Sequence, residues 1–269
     1  MRLTADSLAL GYEGRAIIEA LDIEIPDGSF TVIVGSNGSG KSTLLRGLAR
    51  LLRPSAGRVV LDERSLHDYS SKEVARRLGL LPQSQTAPDA IGVADLVARG
   101  RYPHQSLLRQ WSAADAAAVS RALALTDTLD LADRPFDELS GGQRQRVWIA
   151  MALAQETGIL LLDEPTTYLD IAHQIDVLDL CERLRVEGGT TLVAVLHDLN
   201  LASRYATHLV AMKRGAIVAQ GPPVAIVTPD LVEEVFGLHS RVITDPESGT
   251  PLVVPRRSPL RTTEGETAS

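Results

Sequence analysis

A glycine-rich segment at residues 35–43 most constrains how this 269-residue chain folds. It reads Gly-Ser-Asn-Gly-Ser-Gly-Lys-Ser-Thr and matches the pattern G-x-x-x-x-G-K-[ST]. The short apolar run Phe30 to Val34 precedes it, and leucines recur at helical spacing from Lys41 to Arg53, where Pro54 follows. We therefore predict a strand, a loop and a helix in that order, with the proline ending the helix.

This segment has the chemistry of a phosphate-binding loop. Its glycines let backbone N–H groups converge on phosphate oxygens, and the start of the following helix favours an anion. Lys41 is expected to reach the β- and γ-phosphates of a nucleotide, and Ser42 to ligate Mg²⁺. A flexible glycine-serine linker with a chance lysine is the alternative, and it gives no reason for the position between a strand and a helix. The predicted phosphate-binding residues are Gly35, Ser36, Asn37, Gly38, Ser39, Gly40, Lys41, Ser42 and Thr43.

The rest of the chain alternates between apolar strand patterns and helical patterns, which predicts an α/β fold. All-apolar runs such as Ile159 to Leu162 are typical of strands covered on both faces, as in a parallel sheet. From about Ser84 to Glu138 helical patterns dominate, which indicates a helical subdomain inserted into the α/β core. The other predicted strands are Arg58 to Leu61, Thr191 to Leu196, and a hairpin of Leu209 to Met212 with Ala216 to Ala219. The predicted helices are Ala113 to Leu125, Gln143 to Ala154 and Ile171 to Arg185.

Composition excludes several classes of function. Acidic residues outnumber basic ones, 34 to 27, and the net charge of -7 argues against a non-specific nucleic-acid binder. Cys181 is the single cysteine, so neither an intrachain disulfide nor a multi-cysteine metal site can form. The first residues do not resemble a signal peptide and no window holds 18 apolar residues. We expect a soluble protein whose membrane role, if it has one, is peripheral.

Two adjacent carboxylates end the run Ile159 to Leu162. Asp163 at this position can hold the Mg²⁺ shell of a nucleotide, and Glu164 can orient or deprotonate an attacking water. The alternative is a pair of solvated acids at a turn, which Pro165 favours.

The segment Leu-Ser-Gly-Gly-Gln at residues 139–143 stands immediately before a predicted helix. Its glycines and serine fit a second anion-binding helix start, and they fit an ordinary N-cap with a glycine turn equally well. On the residues alone the ordinary cap is favoured.

Five patterns in this order resemble the ATP-binding subunit of an ABC transporter, over residues 2–255: the phosphate loop, Gln83, residues 139–143, the strand ending at Glu164, and His197. The resemblance implies a P-loop NTPase core with a mainly parallel sheet, an antiparallel β portion and an inserted helical subdomain. It places the core at about 2–83 and 157–255 and the helical subdomain at about 84–156. The remaining residues, 256–269, are expected to form a disordered tail.

The resemblance also implies roles for single residues. Tyr12 would stack on adenine, Gln83 would contact Mg²⁺ and the attacking water, and His197 would touch the γ-phosphate and position Glu164. Their ordinary alternatives are a strand-edge tyrosine, a surface glutamine and a histidine bonded to backbone at the end of a strand.

A second set of implied roles concerns a partner subunit. Residues 139–143, hereafter the signature segment, would bind the γ-phosphate of the ATP held by that subunit, chiefly through Ser140 and Gly142. Asp170 resembles the aspartate that communicates across the dimer, although Tyr168 stands where the family more often has a small residue. The implied binding residues here are Ser140, Gly141, Gly142, Gln143 and Asp170.

Residues 96–105, 166–174 and 235–251 resemble the subunits that energise uptake of iron(III) siderophores. Haem and vitamin B12 importers belong to the same class and stay open as alternatives. The resemblance implies ATP and Mg²⁺ as cofactors, a second ATP-binding subunit, a separate polytopic permease and indirectly a substrate-binding protein, on the cytoplasmic face of the cell membrane. It implies no nucleic acid.

Two hypotheses from other classes also remain. A soluble ABC protein serving as an assembly factor would need no permease. A P-loop small-molecule kinase gives no reason for the signature segment.

Overall fold

The computed structural model describes residues 2–105, 111–167 and 169–256. Its strands are β1 Leu3–Tyr12, β2 Arg15–Ile25, β3 Phe30–Gly35, β4 Ala56–Leu61, β5 Arg64–Ser65, β6 Leu78–Leu81, β7 Ile159–Asp163, β8 Thr191–Val195, β9 His208–Lys213, β10 Ala216–Gly221, β11 Ser240–Thr244 and β12 Pro251–Pro255. Its α-helices are α1 Lys41–Leu48, α2 Ser71–Ala75, α3 Val93–Ala98, α4 Ala113–Leu125, α5 Gly141–Ala154, α6 Ile171–Gly188, α7 Leu199–Tyr205, α8 Pro223–Ile226 and α9 Pro229–Phe236. Short 3₁₀ helices cover Leu66–Asp68, Arg99–His104, Leu129–Leu131 and Phe136–Glu138.

A six-stranded sheet in the order β10-β9-β3-β8-β7-β6 forms the centre of the molecule. Its strands pair in parallel from β9 to β6, and β10 joins β9 as an antiparallel hairpin. The α/β prediction is therefore confirmed. Because β6, β7 and β8 are neighbours, the residues that follow them lie at one edge of the sheet.

The central strands bury side chains on both faces, as the all-apolar runs predict. In β7, Leu160 and Leu162 point into one apolar cluster, while Ile159 and Leu161 point into another. The first cluster includes buried residues of α4, α5 and α6. The second includes residues of α1 and of the antiparallel strands β1, β2 and β4. Two-sided burial holds the ends of these strands rigidly in place.

A separate antiparallel sheet, β2-β1-β4-β5, covers one of these clusters. The predicted strand at residues 58–61 forms part of β4 in this sheet. Val59 and Leu61 are fully buried whereas Arg58 is exposed. This alternation is typical of an antiparallel sheet with one face covered.

Helix α1 ends at Leu48, so the prediction that it continues to Arg53 was wrong. Arg50 adopts a left-handed backbone conformation with φ 60°, and the N–H groups of Leu51 and Leu52 both bond back to the carbonyl of Arg46. This local closure stops the helix before Pro54 can act.

Between β6 and β7 the described residues form helices and turns and no strand. Phe136 and Trp148 pack edge to face there, 5.4 Å apart. Buried Arg101 joins this region together, because its guanidinium bonds both the Asp115 carboxylate at 2.9 Å and the carbonyl of Ala154. The boundaries of a subdomain at 84 and 156 stay a prediction. Of the predicted tail, only residue 256 lies among the described residues.

Candidate active site

The phosphate loop joins the carboxyl end of β3 to the start of α1, as its sequence predicts. Gly35 must be a glycine because a Cβ there would lie 2.3 Å from the carbonyl oxygen of Met212 on β9. Gly40 caps α1 with φ 101°, a left-handed conformation that disfavours other residues. The loop is thus held between two neighbouring strands with its backbone turned toward the helix start.

Lys41 is buried, and its ammonium donates to the carbonyls of Gly35 at 2.9 Å and Ser36 at 3.1 Å. Burial lowers its pKa, while the nearby carboxylates of Glu164 and Asp163 act against that shift. The charged group is held over the loop by two neutral acceptors, and a phosphate oxygen is a stronger partner for it than a carbonyl.

Asp163 ends β7 beside the phosphate loop and is only 3% exposed. Its Oδ1 has no hydrogen-bond partner among the described residues, and the same is true of the buried hydroxyl of Ser39. Burial raises the pKa of Asp163, and a hydrogen bond from Ser42 opposes the rise. The Ser42 hydroxyl and the unpartnered carboxylate oxygen of Asp163 are hard oxygen donors of the kind that Mg²⁺ prefers. The residues present therefore fit that ion.

Glu164 is the centre of a hydrogen-bonded cluster that three strand ends bring together. Gln83, which follows β6, donates to Glu164 Oε2 at 2.7 Å, and the hydroxyl of Thr167 bonds the same oxygen at 3.1 Å. Nε2 of His197, which follows β8, lies 2.7 Å from Oε1. Glu164 itself has φ 55°, a left-handed conformation that is uncommon outside glycine. A carboxylate held in this strained position by three neighbours is aimed rather than free to rotate.

A cleft of about 270 Å³ lies between these parts of the site. Its lining residues are Asn37, Gly38, Gly40, Lys41, Ser42, Thr43, Glu164 and His197. It therefore joins the phosphate loop to the carboxylate cluster. The predicted adenine residue, Tyr12, does not line it. That tyrosine is 41% exposed at the end of β1, and its hydroxyl accepts a bond from Arg46 at 3.3 Å.

The signature segment lies outside this cleft, at the start of α5, where Ser140 and Gly141 are exposed. Ser140 and Gln143 form a capping box, in which each side chain bonds the backbone N–H of the other, at 3.3 and 3.0 Å. The local geometry is therefore that of a well-capped helix. Further along α5, the Gln145 side chain donates to the carbonyl of Pro165, one residue after Glu164.

Asp170 caps α6 and is exposed. It accepts hydrogen bonds from the backbone N–H and the ring of His173, and these bonds lower its pKa. The unusual Tyr168 noted in the sequence lies outside the described residues.

Sequence reasoning missed three contacts at this site, those made by Thr167, His173 and Gln145. Only His173 had a local signal, because an aspartate three residues earlier is the ordinary spacing of an N-cap bond. The described residues contain no group of three His, Cys, Asp or Glu side chains arranged for a metal ion. None of the described helices combines the length and apolarity needed to cross a membrane.

Three known proteins illustrate what this chain resembles. It is 58% identical over 254 residues to the ferric enterobactin transport ATP-binding protein FepC of Escherichia coli (strain K12), covering 94% of each chain. Its fold matches a chain from an inward-facing structure of a metal-chelate type ABC transporter with a TM-score of 0.82, at 30% identity over 95% of this chain and 97% of that one. It also matches a dimeric bacterial ABC transporter cassette, with a TM-score of 0.72 and 26% identity over 82% of this chain and 98% of that one.

The family model for ABC transporters matches residues 18–167, which include the phosphate loop, Gln83, the signature segment and Glu164. ATP-binding subunits of this family hydrolyse ATP. The chain belongs to the ABC transporter family and is one of its ATP-binding, ATP-hydrolysing subunits.

Proposed function

We propose that this protein hydrolyses ATP to energise the import of an iron(III)-siderophore, with Glu164 as the residue that activates water. The cluster around Glu164 carries the assignment, because Gln83 and His197 hold its carboxylate within 2.7 Å on two sides. The carboxylate borders the same cleft as Lys41. A base at this position can take up or orient the hydrogen of a water that attacks a phosphate bound to the loop.

The phosphate loop binds ATP by exchanging internal contacts for phosphate contacts. Lys41 leaves the carbonyls of Gly35 and Ser36 for the β- and γ-phosphate oxygens, while the loop N–H groups and the start of α1 hold the rest of the charge. Tyr12, exposed at the end of β1, offers its ring to the adenine.

The Mg²⁺ that accompanies ATP would be held by Ser42, Asp163 and Gln83. Ser42 already interacts with the Asp163 carboxylate, and Oδ1 of that carboxylate is buried without a hydrogen-bond partner among the described residues. Gln83 uses its Nε2 on Glu164, which leaves its carbonyl oxygen for the ion. When bound, the ion neutralises part of the phosphate charge. Positioning of the water rests on Glu164 and its neighbours.

The ATP-bound form is a head-to-tail dimer in which each signature segment completes the partner's site. The supporting observation is that the signature segment lies outside its own chain's cleft, with Ser140 and Gly141 exposed. Ser140 and the N–H groups of Gly141, Gly142 and Gln143 would meet the γ-phosphate on the partner. Asp170, exposed at the start of α6, would contact the partner as well.

The remaining partner would be a polytopic permease in the cell membrane, served by a substrate-binding protein. This chain would bind the cytoplasmic face of that permease through the inserted helical subdomain at about 84–156 and the neighbouring Gln83. The cargo assignment rests on the relatives, one named for ferric enterobactin and one structure described as metal-chelate type. An iron(III)-siderophore fits both descriptions.

The variant Glu164→Gln tests the catalytic assignment. The amide keeps the size of the side chain and cannot act as a base, so turnover should fall by at least about 100-fold while ATP still binds. The trapped ATP should hold the subunits together, which size-exclusion chromatography with light scattering detects. The matched control is Glu187→Gln, on the exposed last turn of α6, which should hydrolyse ATP normally. Near-normal turnover of E164Q would rule out this role for Glu164.

The cargo is tested by uptake in a strain that lacks the gene. Uptake of labelled iron from siderophores should be lost, and should return with the native protein but not with E164Q. Unchanged siderophore uptake, with loss of haem or cobalamin uptake, would reassign the cargo. No uptake defect and no co-purifying permease from detergent-solubilised membranes would favour an assembly factor.

A further inference from the structure

His173, in the first turn of α6, links the two segments of this chain that are expected to meet the partner subunit. Its Nδ1 lies 2.7 Å from Asp170 Oδ1, and its backbone N–H donates to the same oxygen at 2.9 Å. Two bonds to one carboxylate oxygen fix both the main chain and the ring. The orientation of the imidazole is therefore set by Asp170.

The other edge of this ring lies against Gly142 of the signature segment. A Cβ built on Gly142 would be 2.5 Å from Cδ2 and 2.9 Å from Nε2 of His173. Gly141, the preceding residue, has no atom within 4 Å of its own Cβ position. The absence of a side chain at Gly142 thus makes room for the histidine, and the ring supports the first turn of α5 from outside.

Separate contacts hold the first and second turns of α5. Further along α5, Gln145 bonds the carbonyl of Pro165, which fixes the second turn of the helix. The first turn has its own capping box between Ser140 and Gln143, and its last residue, Arg144, donates to the carbonyl of Asp137 at 2.7 Å. The three atoms nearest the Cβ position of Gly142 all belong to the His173 ring.

We propose that His173 is a positioning residue for ATP-driven dimer formation. It transmits the position of Asp170 to Gly142, so that the signature segment presents its N–H groups to the partner's ATP in one fixed geometry. This inference rests on the proposed head-to-tail dimer. His173 is not among the residues that line the cleft of its own chain.

An ordinary structural role for this histidine makes a different prediction. If it served only to cap α6, its replacement by alanine would change little, because the bond from the backbone N–H of residue 173 to Asp170 would remain. A positioning role predicts a selective loss. The subunit stays folded and binds nucleotide at its own phosphate loop, but it associates poorly with a partner.

The test uses the full chain with Glu164→Gln, so that ATP is not consumed. The dimer dissociation constant with ATP is measured by analytical ultracentrifugation, and nucleotide affinity of the monomer is measured separately with ADP. Adding His173→Ala should weaken the dimer about tenfold and leave ADP affinity unchanged. His239→Ala is the matched control, since His239 also pairs through Nδ1 with a carboxylate, Glu233 at 3.1 Å, on a distant part of the chain. It should leave the dimer unchanged.

A dimer equally strong with and without His173 would overturn the inference and leave the proposed function standing. Failure of the E164Q protein itself to dimerise would count against the proposed function instead. A second measurement tests the contact alone, through urea unfolding of Gly142→Ala, His173→Ala and the double variant. The ring clashes with the new Cβ, so His173→Ala should cost less stability in the Gly142→Ala protein than in the native one. Additive effects would overturn the proposed contact.

Discussion

The phosphate loop and the signature segment are both glycine-rich helix starts, yet their polar groups are in opposite states. At the phosphate loop, Lys41 and Asp163 are buried, and Asp163 Oδ1 and the Ser39 hydroxyl have no partner among the described residues. At the signature segment, Ser140 and Gln143 satisfy each other in a capping box on an exposed turn.

This difference is the one expected if the chain prepares the phosphate loop by itself and a partner subunit completes the site at the signature segment. Buried polar atoms without partners cost free energy, and proteins keep them where a ligand supplies the missing bonds. A capped and exposed helix start costs nothing in the free subunit. We infer that the phosphate loop is organised for a ligand in advance, whereas the signature segment gains its ligand only when a second subunit brings it.

Replacing Lys41 should give the largest effect, since it removes the one charged group that the phosphate loop buries for the ligand. Lys41→Ala should weaken nucleotide binding by about 100-fold, because the phosphates lose a buried charged partner. Calorimetric titration with ADP and ATP measures this. Lys72→Ala, a surface lysine that contacts the carbonyl of Gln105, is the control and should bind normally. Retained affinity in Lys41→Ala would mean that the loop is not the nucleotide site.

Ser140→Ala should weaken dimer formation without changing nucleotide binding. Nucleotide affinity of the monomer should be unchanged, while the dimer formed by the E164Q protein with ATP should weaken about tenfold, because one hydroxyl contact to the partner's ATP is lost. The helix also loses its cap, at a cost of about 1 kcal/mol in the free energy of unfolding.

The control for this variant is Ser70→Ala, which removes the same kind of capping box from α2. It should lose comparable stability without any effect on the dimer. If both variants weaken the dimer alike, loss of a cap explains the result and the signature segment has no special role.

The phosphate loop and the signature segment also differ in how much of each can be predicted from the sequence. The phosphate loop is a local structure, so its strand, turn and helix can be predicted from residues 30–48, although the left-handed Arg50 that ends α1 early cannot. The signature segment has the residues of an ordinary N-cap, and the structure shows such a cap. Its function came only from resemblance to a family.

Contacts between distant parts of the chain escaped prediction for another reason. Each of Gln83, Glu164 and His197 follows an apolar strand, which the residues indicate, but their meeting depends on β6, β7 and β8 being neighbours. Strand order is set by packing across the whole sheet and leaves no local pattern. The contact of His173 with Gly142 is of the same kind.

The smallest effect that we expect is on the free energy of unfolding. A substitution beside the phosphate loop should raise it, whereas one in the signature segment should lower it. Burial raises the pKa of Asp163 above the unfolded-state value of about 3.9. The folded protein therefore holds this proton more tightly, so stability falls as the pH rises from the unfolded-state pKa to the folded pKa, and the full cost is present above the folded pKa. Asp163→Asn removes the charge and can keep a bond with Ser42. The nucleotide-free variant should be more stable by about 1 kcal/mol at pH 7, whereas Ser140→Ala is less stable.

Urea unfolding from pH 7 down to about 4 measures this, and the advantage of Asp163→Asn should shrink as the native carboxylate takes up its proton. Asp133→Asn, on the exposed surface, is the control and should show no advantage. If Asp163→Asn is no more stable than the native protein at pH 7, the result contradicts our inference that the phosphate-loop region is destabilising in the absence of its ligand. The variant should also lose affinity for Mg²⁺-ATP, since the carboxylate expected to destabilise the free subunit is also the one proposed to hold the cation.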